Sequence, residues 1–200
     1  MTISVKHLSV ELEDTKILDD ISVQIPINSF TCILGENGAG KSTLAKILSG
    51  VLGLDAGNLY VDDKPYRPHD PRGAFKHGVV IVHQEPTLVP HLKVFENIFL
   101  GVELAWKGCL LKSKMRSRAE SVLDKLGHNE IDVESKLSSL SPATCQIVEI
   151  ARALILKARV LILDEPASSL SGPDKTVLFK LLKNLSEQGL SIIYISHFLE

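Results

Sequence analysis

Long apolar runs, aromatic side chains, cysteine pairs and an excess of one charge are all scarce in this 200-residue sequence. No stretch reaches the roughly 18 consecutive apolar residues that a spanning helix requires, and Met1 to Leu12 alternates like a strand where a signal peptide would carry an apolar core. The chain is therefore not expected to cross a membrane, and any transport role has to come through partner subunits. Cys32, Cys109 and Cys145 are odd in number and scattered. That argues against a disulfide framework and against metal-ligand spacing, and reads as three reduced thiols, buried as small apolar residues in a cytosolic protein. Twenty-two basic against 24 acidic residues leave a net charge of -2, which gives no electrostatic footprint for nucleic acid. There are no internal repeats and no low-complexity segments. A hydrophobic content of 44% in a chain of this length suits one domain with a buried core.

What is present is a phosphate loop. Gly35, Glu36, Asn37, Gly38, Ala39, Gly40, Lys41 and Ser42 follow the apolar run Phe30 to Leu34 and precede an apolar-periodic segment, so they lie between strand and helix and, with Thr43, are the expected nucleotide-binding residues. Glycines at 35, 38 and 40 let the backbone curl so that its N–H groups face a β-phosphate, and the helix adds its N-terminal dipole. Lys41 can reach the β- and γ-phosphates, and the Ser42 hydroxyl can bind Mg2+. Further along, the apolar run Val160 to Leu163 delivers Asp164, Glu165 and Pro166. Asp164 would hold Mg2+ through water and Glu165 would polarise an attacking water, which is hydrolysis and not transfer to a hydroxyl acceptor. Alone, an Asp-Glu pair is as readily a solvated strand end; behind a phosphate loop it reads as chemistry.

A pass along the chain predicts an α/β fold. Alternation at Ile3 and Val5, then at Leu8, Val10 and Leu12, and again over Ile17 to Ile25, gives an N-terminal antiparallel β part ending at Pro26. Near-continuous apolar strands at 30–34, 79–82, 160–163 and 191–195 suit a parallel core sheet flanked by helices on both faces. Between Glu85 and about Arg159 a helical insert is expected, in which Met115, Ala119, Val122, Leu123 and Leu126 form one apolar face ended by Gly127. Lys112, Lys114, Arg116 and Arg118 read as a solvated basic face.

Four further segments complete a set that resembles the ATPase subunit of an ABC transporter, over almost the whole chain. Gln84, after Val79 to Val82, matches the family's glutamine loop, and Leu140 and Ser141 open its signature region. Ser168, Ser169, Leu170 and Ser171 match the loop after the second acidic strand, and His197 matches the switch histidine. The resemblance implies a P-loop NTPase with an N-terminal β subdomain and core at 1–84 and 160–200 and an inserted helical subdomain at 85–159. It implies ATP and Mg2+ as cofactors, Glu165, His197 and Gln84 as catalytic residues, Ser42, Gln84 and Asp164 as metal-side residues, and Ser141 as a nucleotide contact. It also implies a second ATPase domain paired head to tail, a membrane permease, and a place at the cytoplasmic face of the bacterial membrane. His83, Gln84, Glu85 and Pro86, then Val89 to Leu92, Phe95 to Gly101 and Val148 to Leu154, resemble importers of ribose-type simple sugars, which adds a separate sugar-binding protein as an indirect partner.

Departures from the family pattern are as informative. Where the family usually has Leu-Ser-Gly-Gly-Gln, this chain has Leu140, Ser141, Pro142, Ala143 and Thr144. Pro142 has no N–H and Ala143 adds a methyl where the backbone approaches a partner's γ-phosphate, so a well-capped helix but a weaker lid is expected. The position aligned with the family's adenine-stacking aromatic falls near Leu12, and no aromatic lies between Met1 and Phe30; ATP is preferred to GTP only through the resemblance. The sequence ends at Glu200, a few residues past His197, where the family's domain continues; a fragment or truncated product of marginal stability is the expectation. Three readings follow: an ATP-hydrolysing subunit of a sugar importer, a nucleotide-binding module with little turnover, or a non-transport ABC protein.

Overall fold

The computed structural model describes residues 2–12, 15–26, 28–84 and 87–197, with the Leu12 side chain excepted. Glu85, Pro86 and the residues after His197 lie outside the described part, as does the adenine-side question at Leu12. In chain order the elements begin with β1 (Thr2–Leu12), β2 (Thr15–Pro26), β3 (Phe30–Leu34), α1 (Lys41–Leu48), β4 (Ala56–Val61) and β5 (Lys64–Pro65). α2 (Pro71–Lys76), β6 (Val79–Val82), α3 (Val94–Ile98), β7 (Ala105–Trp106) and β8 (Cys109–Leu110) follow. The chain continues through α4 (Lys112–Lys125), α5 (Pro142–Ile155), β9 (Val160–Asp164), α6 (Gly172–Glu187) and β10 (Ser191–Ser196).

The chain divides into two compact units, Met1–Ile81 with Ala158–Glu165 and Leu182–Glu200, and Val82–Lys157 with Pro166–Leu181. The first is built on two sheets. One is antiparallel, in the order β2-β1-β4-β5. Its buried residues Ile3 and Val5 are odd-numbered, whereas Leu8 and Val10 are even-numbered. A register shift between Val5 and Leu8, at a left-handed His7 (φ 52), moves the alternation by one residue and keeps all four on the same apolar face. The second sheet, β3-β10-β9-β6, has β10 parallel to both β3 and β9. Leu44, Ala45, Ile47 and Leu48 of α1 share one core with Ile3, Val5 and Leu8 of the first sheet and with Ile162, Ile193 and Ile195 of the second.

Every residue of β9 and β10 is buried, as expected of parallel strands covered on both faces. Edge strand β3 departs from that expectation: Phe30 and Leu34 are 40% and 43% exposed, and Cys32 is exposed with them. The expectation of three buried thiols therefore fails. Cys32 sits on the open face of an edge strand, Cys109 is exposed in a hairpin and Cys145 is half-buried. A cysteine's burial follows from where its element lies in the fold, which residue type alone does not encode.

The second unit packs α3, α4 and α5 together. Met115, Ala119, Val122 and Leu123 are the buried face of α4, with Leu126 beneath it and Gly127 at φ 77 ending the helix. The expected helical insert also contains the β7–β8 hairpin, turned by Lys107 (φ 49) and Gly108 (φ 83), both left-handed as a type I′ turn requires. Its strands are too short to leave a period of two in the sequence. The basic cluster is also more than a solvated face. Arg116 is ion-paired with Glu134 and lies 5.0 Å from the Phe95 ring centre, and Lys112 reaches Glu96 at 3.2 Å. Asn97, fully buried, accepts a hydrogen bond from Val89 N at 2.7 Å and donates to Val89 O at 3.1 Å and Lys93 O at 3.2 Å, closing the 89–93 loop on itself.

Candidate functional site

Because β3, β10 and β9 run parallel in register, with Ser196 beside Leu34 and Ile195 beside Asp164, their carboxyl ends lie along one edge of the sheet. Gly35, Glu165 and His197 are the residues that follow those ends, the position at which open parallel sheets bind ligands.

In the loop after β3, Gly38 and Gly40 adopt φ 83, a left-handed conformation in which glycine carries no steric penalty. Gly35 does not, and a Cβ there would meet only Ala39 Cβ and Lys41 Cδ at 3.7 Å; the curl expected of all three glycines rests on two of them. At Gly40 a Cβ would stand 2.6 Å from Leu18 Cδ2 and 2.9 Å from Ile17 O. Gly40→Ala is accordingly expected to destabilise the chain by about 1–3 kcal/mol through strain and displacement of the Ile17 backbone. Gly35→Ala should leave stability unchanged or raise it by about 0.4–1 kcal/mol. Denaturant titration of the two variants side by side checks this, and equal losses would contradict it.

α1 starts directly after Gly40, which has no side chain to cap it, so the first-turn amides remain available to an anion. Lys41 folds back over the loop, donating from Nζ to Gly35 O at 2.7 Å and Glu36 O at 2.8 Å. Ser42 Oγ donates to Asp164 Oδ1 at 3.0 Å, bridging 122 residues of sequence, and Asp164 is 5% exposed. Next to it Glu165 stands at φ 50 while its N–H donates to Ile195 O at 3.0 Å. The left-handed backbone at a non-glycine residue costs about 1–2 kcal/mol, held here by pairing with β10. His197 Nδ1 lies 2.9 Å from Glu165 Oε1. Lys41, Ser42, Asp164, Glu165 and His197 are thus gathered in the first unit.

Gln84 and Ser141 belong to the second unit. Gln84 is exposed, two residues beyond β6. Ser141 caps α5 with Pro142 at the first helical position, accepting from Thr144 N at 3.2 Å and sharing a hydrogen bond with Thr144 Oγ1 at 2.9 Å. The helix forms as the sequence predicts, with the Ser141 hydroxyl engaged inside its own cap.

Sequence reasoning missed a buried pair on α5. Glu149 is 4% exposed and Gln146 is 7% exposed; Glu149 Oε1 accepts from Thr87 N at 2.8 Å and from Thr87 Oγ1 at 3.3 Å. Glu149 Oε2 and Gln146 Nε2 have no hydrogen-bond partner. A glutamate inside an amphipathic helix carries no signal that separates it from a surface carboxylate; the 62-residue separation from Thr87 exists only in the fold. Burial pushes the Glu149 carboxyl above its usual value, against the hydrogen bonds from Thr87 and the Arg152 charge. The folded state then holds this proton more tightly than the unfolded chain does. Its contribution to stability is full below the ordinary glutamate range and is lost as pH rises through the raised value. Glu149→Gln should therefore gain stability relative to the parent as pH increases through that window, read as the difference in unfolding free energy at a pH below and a pH above it; a pH-independent difference would contradict the assignment.

Among the described residues no helix is long and apolar enough to cross a membrane, and no group of three or more His, Cys, Asp or Glu side chains could hold a metal by itself. A hydroxyl and a carboxylate in contact, Ser42 with Asp164, are hard oxygen donors of the kind Mg2+ takes when phosphates and water complete its shell.

The family profile for ABC transporters matches residues 18–168. The chain is 42% identical over 199 residues to the ribose import ATP-binding protein RbsA of Hahella chejuensis, covering 99% of this chain and 40% of that protein. It is 38% identical over 193 residues to the arabinose import ATP-binding protein AraG of Chromohalobacter salexigens, covering 96% of this chain and 39% of that protein. It spans about two fifths of the length of these curated relatives. Among solved structures, an ATP-binding cassette of an ABC transporter in its ADP conformation superposes with a TM-score of 0.87 at 25% identity, covering 100% of this chain and 83% of that one. A dimeric ATP-binding cassette bound to ADP and Pi superposes with a TM-score of 0.80 at 25% identity, covering 98% and 88%. With the profile spanning most of its length and the cassette fold around the phosphate loop, this chain belongs to the ABC transporter family.

Proposed function

We propose that this chain binds ATP with Mg2+ and hydrolyses it, powering the import of a simple sugar through a membrane permease. The observation that carries the reading is the contact of Ser42 with Asp164, which joins the phosphate loop to the acidic strand end beside Glu165. Lys41 leaves Gly35 O and Glu36 O for the β- and γ-phosphate oxygens, while the α1 amides take the β-phosphate. Ser42 and Asp164 are the residues that would hold Mg2+, to which the resemblance adds Gln84, and the ion would supply neutralisation of phosphate charge. Glu165 accepts the proton of the attacking water, and His197, 2.9 Å from its carboxylate, positions it. ATP in preference to GTP, a second ATPase domain, the permease, an indirect sugar-binding protein and the cytoplasmic face of the bacterial membrane complete the reading. Nucleic acid has no part in it.

ATPase measurement with and without the permease tests it. Stimulated turnover supports transport coupling. Nucleotide binding without turnover in either case would favour the second reading, a binding module, to which the engaged Ser141 hydroxyl and the Pro142-Ala143 replacement lend support. If those residues weaken the lid over a partner's ATP, Pro142→Gly with Ala143→Gly should raise nucleotide-dependent association with a complete partner domain. Each recovered charge-assisted hydrogen bond contributes about 1.5–3 kcal/mol before the flexibility of two glycines is subtracted. The partner's own signature serine is disabled to isolate the site; unchanged association and turnover would show the replacements to be tolerated.

A further inference from the structure

Glu149 is placed where stability alone gives no reason for a carboxylate. It is buried, uses one oxygen on Thr87 and leaves the other without a partner, beside Gln146, whose Nε2 is likewise unsatisfied three residues earlier on α5. Each such orphan costs about 1–3 kcal/mol, and a leucine of similar volume would carry no such penalty. What the carboxylate does provide is a fixed point. Thr87 is three residues after Gln84, and its N–H and hydroxyl both donate to Glu149 Oε1. α5 is the helix that Ser141 caps, and Glu149 lies eight residues, roughly 12 Å, along it.

We propose that Glu149 is a positioning residue for the glutamine loop, tying the placement of Gln84 to the orientation of the helix capped by Ser141. Its catalytic consequence rests on the function proposed above, in which Gln84 serves the metal side of the site; the tether itself does not. A shift or tilt of α5 carries Glu149 with it, and Thr87 follows because both of its donors are held by one oxygen. The helix that Ser141 caps and the loop that carries Gln84 then move together.

The test uses Glu149→Leu, which removes the acceptor and the orphan oxygen while filling the volume, and Glu149→Gln, which keeps the acceptor. Hydrogen exchange at the Thr87 amide reads the tether directly: about tenfold faster exchange is expected in Glu149→Leu, with parent-like exchange in Glu149→Gln. Both variants are expected to retain the parent's unfolding midpoint or exceed it. Turnover should fall about tenfold in Glu149→Leu with KM for ATP unchanged and with a higher half-saturating Mg2+ concentration, and should be rescued in Glu149→Gln. Gln84→Ala serves as the reference for loss of the loop. Unchanged Thr87 exchange in Glu149→Leu overturns the proposal, as does accelerated exchange with parent-like turnover while Gln84→Ala is impaired. A parent chain without ATP turnover defeats the ATPase reading instead, and exchange at Thr87 then decides the tether by itself.

Discussion

Lys41→Ala is expected to lower MgATP affinity by roughly 10²- to 10⁴-fold, and with it any turnover. The estimate follows from two charge-assisted hydrogen bonds at about 1.5–3 kcal/mol each, made to phosphate oxygens in place of the two loop carbonyls that hold Nζ in this structure. Glycine-loop amides and the α1 dipole remain in the variant, so residual weak binding is part of the expected result. Overall stability should change little, since the bonds lost lie in an exposed loop. Isothermal titration with MgATP measures the effect, and unchanged affinity would refute the assignment of this loop to phosphate.

Glu165→Gln is expected to keep MgATP binding and to lower turnover by about 10²- to 10⁴-fold, the range associated with a lost general base. The amide preserves the shape of the side chain and its hydrogen-bonding reach but cannot take the proton of an attacking water. The backbone at φ 50 asks the same of glutamine as of glutamate, so a loss of turnover would not be a folding artefact. Single-turnover measurements with the nucleotide prebound separate the chemical step from binding. Parent-like turnover would move the base elsewhere, with His197 at 2.9 Å from the same carboxylate the next candidate.

The elements that could be read without the fold are those whose cause is local. Gly38 and Gly40 at φ 83, Ser141 with Pro142 at the start of α5, and Gly127 after the apolar face of α4 are each set by interactions within a few residues, and each has the conformation its residue type predicts. The same holds for β9 and β10, whose near-continuous apolar runs suit strands buried on both faces. Where local cause was ambiguous, the reading failed. Gly35 belongs to the same glycine motif yet takes no special conformation, and the Lys107-Gly108 hairpin sits in a stretch otherwise dominated by helical periodicity.

By itself the sequence determined the phosphate loop, the acidic strand end, the family resemblance and the α/β architecture, because these depend on residue type and spacing along the chain. Tertiary structure alone decided which strand lies at the sheet edge, and so why Cys32 is exposed when β10 beside it is buried throughout. It also brought Ser42 to Asp164 across 122 residues, drew Glu165 into a left-handed backbone against Ile195, and set a buried Glu149 on the amide of Thr87. The physical reason is common to all of these: a strand's exposure and a side chain's partner are properties of what packs beside them, and a one-dimensional pattern records only which residues are able to pack, not which ones meet.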